Sequence, residues 1–162
     1  MTLTALICAA ALLISARDET HERSVGLPLR GLAVAVAVLA GAFSLVALIS
    51  NSALSAGDRA ATAGNLSKAE GQARKAIRWA PWSSEGWSLL GDLQVQERKL
   101  ADARASYRKA IAKDRSDWTL WLHLARASSG PARRKAALVA QRLNPRSPQI
   151  AAARVELGLG KP

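Results

Sequence analysis

The sequence predicts an all-α chain: N-terminal transmembrane helices, then a solenoid of about three stacked helical hairpins closed by a C-terminal capping helix. Three observations lead there. Residues 32–49, LAVAVAVLAGAFSLVALI, carry no charge. Residues 51–162 repeat themselves at a spacing of 34 positions, the signature of stacked supersecondary units. With one Phe, one Tyr and few β-branched runs outside 34–49, the chain lacks the makings of a large β domain, whereas its Ala, Leu, Arg and Gln favour helix.

Charge divides the chain at the same place. Against 23 Lys+Arg stand 12 Asp+Glu, a formal net charge of +11. The first 50 residues balance Arg17, Arg23 and Arg30 against Asp18, Glu19 and Glu22, so residues 51–162 carry the entire excess. The 162 residues suffice for one ordinary domain, and a hydrophobic content of 49% argues against disorder. Cys8, the lone cysteine, rules out a disulfide scaffold within the chain and leaves the redox compartment open.

Residues 31–50 reach about 30 Å as a helix, enough to cross a bilayer. Ala33, Ala37 and Gly41 recur every fourth position, which suits either a close helix–helix contact or a merely Ala-rich span. Residues 1–16 form a shorter apolar helix, read as a truncated transmembrane segment. A signal peptide is its rival, although no Lys or Arg precedes the apolar part. Residues 17–30 are then a polar loop, with Gly26 and Pro28 as breakers and His21 solvated. Arg17, Arg23 and Arg30 outnumber Arg59 and Lys68 beyond the second span, which places the loop in the cytoplasm and residues 51–162 on the outer face.

The repeat is clearest at Trp87, Leu90, Gly91, Ala103, Tyr107 and Ala110. One period earlier stand Ala53, Ala56, Gly57, Ala69, Ala73, Ala76 and Pro81; one period later stand Trp121, Leu124 and Ala125. Ala140 and Pro145 fit the third unit only if its turn shortens around Ser129-Gly130-Pro131. Small residues let backbones approach, and Trp87, Leu90 and Tyr107 fill the gaps between layers. Helices are predicted over 52–63, 66–80, 84–96, 101–113, 117–128 and 131–143, with a closing helix over 148–157. Pro131 and Pro148 suit first-turn positions and Gly158 a stop.

These residues resemble the tetratricopeptide repeat family over 53–145, most strongly over 87–121. The order of parts is similar to the C-terminal end of bacterial O-antigen ligase or polymerase-like membrane proteins. A last membrane helix runs into Ala56-Gly57-Asp58-Arg59-Ala60, followed by Trp79-Ala80-Pro81-Trp82, Asp117-Trp118 and Asn144-Pro145-Arg146-Ser147-Pro148. The second resemblance implies a tail piece of a bacterial envelope protein handling lipid-linked polysaccharide, with the catalytic portion outside these residues, so no catalytic position carries over.

No catalytic, cofactor or metal constellation emerges from the residues themselves. Lys161 follows Gly158 and Gly160 without a preceding strand, and His123 has Thr119 and Ala127 at helical spacing instead of ligands. Asp114 and Asp117 suit a turn and a helix cap. The expected function is a non-catalytic, membrane-anchored docking module for a protein or peptide. Its groove candidates are Trp87, Gln94, Trp121 and Arg126. Trp79, Trp82 and Trp118, near helix ends, suit edge packing or stacking on a sugar or peptide. Arg74, Lys75, Arg78, Arg104, Arg108, Lys109, Arg133, Arg134 and Lys135 form a candidate basic face for anionic lipid or a lipid-linked glycan, with no nucleic acid expected beside membrane spans.

Overall fold

The computed structural model describes residues 27–160. The apolar stretch 1–16, loop residues 17–26, Cys8, His21 and Lys161 lie outside the described residues. Within them the backbone forms helices α1 (Leu27–Thr62), α2 (Leu66–Trp79), α3 (Glu85–Gln96), α4 (Leu100–Lys113), α5 (Trp118–Arg126), α6 (Gly130–Leu143) and α7 (Pro148–Ala153). Two compact units result, Met1–Ile49 and Ser50–Pro162.

Helix α1 departs from the sequence expectation at both ends. It begins at Leu27, with Pro28 in the first turn, where a missing N–H costs nothing. It then runs for 36 residues without the interruption expected near 50–51. Ser50, Asn51 and Ser52 disfavour helix by only tenths of a kcal/mol each, and neither Pro nor Gly stands among them. The stretch Val34–Thr62 reaches a mean hydropathy of 2.2, and just 6% of its most apolar window is buried, so it is not a core helix of this chain. Leu39 and Phe43 are exposed to 69% and 63%. Among the described residues it is the one helix long and apolar enough to cross a membrane; they carry no second crossing.

The second unit is a run of hairpins. Consecutive helices pack on one another from α2 through α6, joined by turns of a few residues. From residue 66 onward the predicted helices are found within two residues of their expected ends, save that α7 stops at Ala153 and residues 154–158 form turns. Two turns one period apart share a C-terminal stop. Asn65 N–H donates to Ala60 O at 2.9 Å and Lys99 N–H to Gln94 O at 2.8 Å, with Gly64 and Arg98 in the left-handed region at φ 76° and 59°. The third turn, 127–129, is three residues long like 63–65 and 97–99; the four-residue slip of the third unit comes instead from α5 ending early, at Arg126, with Gly130 at φ 56° opening α6.

Close approach sets the layer spacing. Ala69, Ala73, Ala103, Ala110, Ala137 and Ala140 are fully buried. A methyl at Gly91 would lie 2.6 Å from Tyr107 Cε1, so the α3 backbone rests directly on that ring. Trp87 packs against both hydrophobic clusters and bridges the one built by α1–α3 to the one built from α4 onward. Leu93, Leu122, Ile150 and Leu157 are the largest fully buried side chains, each contributing about 1.5–3 kcal/mol by leaving water.

Candidate functional site

An open groove of about 580 Å³ lies between the last part of α1 and α3. Asn51, Leu54, Ser55 and Asp58 line one side, and Glu85, Ser88, Leu89 and Asp92 the other. Each set has the spacing i, i+3, i+4, i+7, one face of a helix. The sets also correspond position by position across the 34-residue period: Asn51 with Glu85, Leu54 with Ser88, Ser55 with Leu89, Asp58 with Asp92. A repeated fold thus presents the same helical face twice, side by side. The next positions in register are Thr119, Leu122, His123 and Arg126 on α5.

The groove is acidic although the chain is strongly basic. Asp58, Glu85 and Asp92 contribute carboxylates, and no salt bridge among the described residues engages Asp58 or Glu85. Asp92 is fixed from behind: Tyr107 on α4 donates its hydroxyl to Asp92 Oδ1 at 2.7 Å. His123 Nδ1 on α5 lies 3.1 Å from the same oxygen, near enough for an ion pair when protonated but outside hydrogen-bond geometry. Its ring meets Tyr107 edge-on at 5.6 Å. Burial first, then the bond to Asp92, pushes the Tyr107 phenol well above its ordinary range.

The residues expected to line a groove are placed elsewhere, apart from Arg126. Trp87 sits in the core with Lys109 Nζ 4.4 Å above its ring. Gln94 turns toward α4, its Oε1 accepting from Ser106 Oγ at 2.7 Å. Trp121 is packed against the core, and its Nε1 donates to Arg115 O at 3.1 Å. Arg126 is exposed and in register with Asp58 and Asp92. Asp58 and Asp92 are the one acidic pair that the period of 34 marks in the sequence, whereas Glu85 corresponds to Asn51 and joins them only through the fold.

Several of the nine basic-face residues are engaged. Arg74 pairs with Glu70 at 2.7 Å, Arg104 Nη1 donates to Ala127 O at 3.0 Å, capping the end of α5, and Arg133 Nε donates to Ser128 O at 2.7 Å. Lys75, Arg78, Arg108, Arg134 and Lys135 are exposed on α2, α4 and α6. Asp117 accepts from Thr119 N–H at 2.8 Å and caps α5. Asp114 accepts from Ser116 and from Asp117 N–H, and the Ser116 bonds hold its carboxyl below the ordinary carboxylate range.

This architecture is a tetratricopeptide-like solenoid. The first tetratricopeptide domain of Spaghetti (RPAP3), bound to the HSP90 peptide SRMEEVD, superposes with a TM-score of 0.63 at 14% identity, covering 68% of this chain and 90% of that one. The TPR2B domain of yeast Sti1 in complex with pHsp70 gives 0.61 at 17%, covering 69% and 92%. The Arabidopsis OM64 tetratricopeptide domain gives 0.60 at 19%, covering 68% and 94%. No family model and no curated protein matches the sequence, so the comparisons carry the repeat fold and offer no counterpart to an O-antigen ligase.

Proposed function

We propose that this chain is a membrane-anchored, non-catalytic interaction module that captures an extended segment of a protein partner in the groove between α1 and α3. The observation that carries this reading is the groove itself, whose two sides are repeat-equivalent helical faces left open to solvent. One similar solved domain is bound to an HSP90 peptide and another is in complex with pHsp70, which supports capture of a protein segment here. The exposed apolar surface of α1 supports anchoring in a membrane, the resemblance in the order of parts suggests a bacterial cell membrane, and the arginine balance of the sequence favours the outer face for the repeats.

A photo-crosslinking residue in place of Ser88, in the full chain in its native membrane, tests the reading. A discrete protein adduct is expected there and none from the same residue in place of Arg108 on α4. Adducts at Arg108 alone would contradict it. A finer version rests on the order of parts, an apolar helix running into the repeats: the chain would be the C-terminal part of an O-antigen ligase or polymerase-like protein, with a lipid-linked glycan nearby. In-frame membrane-helix sequence upstream of Met1 is its expected signature.

A further inference from the structure

We infer that the groove selects a cationic segment, an extended stretch of the partner with Lys or Arg at alternate positions; this rests on the groove being the docking surface. The argument begins with charge distribution. In a chain with 23 Lys+Arg and 12 Asp+Glu, a random surface patch of this size would carry cations. The groove lining holds none, and three carboxylates project from it. They lie above an apolar floor of Leu54 and Leu89, which gives a bound chain surface to cover as well as charge to meet.

The carboxylates are distributed in a way that tells one cationic ligand from another. No group of three or more His, Cys, Asp or Glu among the described residues is placed to hold a metal ion. Asp58 and Asp92 stand one repeat apart, and Glu85 lies two helical turns before Asp92 on the same face of α3. Charges spread along a groove fit a ligand whose own charges are spread, and alternate side chains of an extended peptide recur on one side about every 7 Å. Asp92 is also oriented before any ligand arrives, because Tyr107 holds it, so less ordering is lost on binding. Neighbouring positives lie outside this lining: Arg59 Nε is occupied by Ser55 O at 3.1 Å, and Arg126 stands in the next layer.

The test uses the full chain in uncharged detergent micelles, with the fluorescein-labelled peptides AKAKAKA and AEAEAEA followed by anisotropy. AKAKAKA is expected to bind saturably and AEAEAEA not. The double variant Asp58→Asn, Glu85→Gln should weaken AKAKAKA by roughly fivefold to tenfold, the loss of two exposed charge pairs. Lys75→Gln with Arg108→Gln should leave it unchanged. Both carboxylates are solvent-facing, and an unaltered melting curve of the double variant confirms that folding is intact. Failure of AKAKAKA to bind, binding indifferent to the double variant, or preference for AEAEAEA each overturns the inference. If the Ser88 adduct still forms in that case, groove capture stands and only the charge preference falls; if it too is absent, both fall.

Discussion

The two rows of helices in the repeat unit use the same period for opposite ends. The second helices, α2, α4 and α6, carry twelve Lys or Arg against Glu70 and Asp102, a net of +10. The first helices, counted as residues 51–62 with α3 and α5, carry Arg59 and Arg126 against Asp58, Glu85 and Asp92, a net of −1. Packing distinguishes the buried face from the solvent face. In α3 the backbone touches a ring at Gly91, whereas at Gly71 in α2 an added methyl would meet nothing within 4 Å. Both rows bury one closely packed face; what differs is the face left to solvent, acidic on the first helices and basic on the second.

The sharpest way to break that comparison is at the two glycines. Gly91→Ala drives a methyl into Tyr107, a ring that is 2% exposed and cannot swing away. We expect a loss of about 2–3 kcal/mol, read from thermal or urea unfolding of the chain in detergent. Gly71→Ala is exposed and mid-helix, so a gain of about 0.5–1 kcal/mol is expected. Equal effects at both sites would mean that the packed face of α3 and the solvent face of α2 do not differ in packing.

Next in size is Tyr107→Phe, which removes the hydroxyl that holds Asp92. A loss of about 1–2 kcal/mol is expected at neutral pH. Because burial raises the phenol's pKa in the folded chain, its contribution is complete below about pH 10, the unfolded value, and is lost as the pH rises beyond it. Wild type should therefore lose stability more steeply than the Phe variant in alkali. Asp114 has the opposite sign. Its carboxyl is held low by Ser116, so its contribution is intact at neutral pH and lost as the pH falls below the ordinary carboxylate value. Asp114→Asn should flatten the acid limb of the stability profile.

Arg98 sharpens the comparison at the turns. It holds the left-handed position that Gly64 holds one period earlier, a conformation costly for a side chain and free for glycine. Arg98→Gly is expected to stabilise by about 0.5–1 kcal/mol, with the turn otherwise unchanged. Smallest of all, Lys75→Ala and Arg134→Ala on the outer layer should each shift stability by less than about 0.5 kcal/mol, measured in the same unfolding assay.

Much of this architecture was legible because packing and repetition leave the same trace. Ala103, Tyr107 and Ala110 announced a close-packed hairpin and are buried as such. The slip of four in the third unit was legible from Ala140 and Pro145, but its source was not: the turn keeps three residues and α5 ends early, at Arg126. The uninterrupted α1 was not, since polar residues at 50–52 look like a boundary in a hydropathy reading although they break no backbone hydrogen bond. The groove was hidden for a related reason. Trp87 and Trp121 hold the repeat's packing position, and their area is used against neighbouring helices, which takes them out of the groove for which they were also candidates. Carboxylates at 58, 85 and 92 gain meaning only once two first helices are seen side by side.

Hydrogen exchange of the full chain in micelles, with and without AKAKAKA, tests the division between the rows most directly. Slowed exchange is expected in residues 51–58 and 85–92, with α2, α4 and α6 unaffected. Protection confined to α2, α4 and α6, with the first helices unchanged, would contradict the assignment of the groove as the working surface.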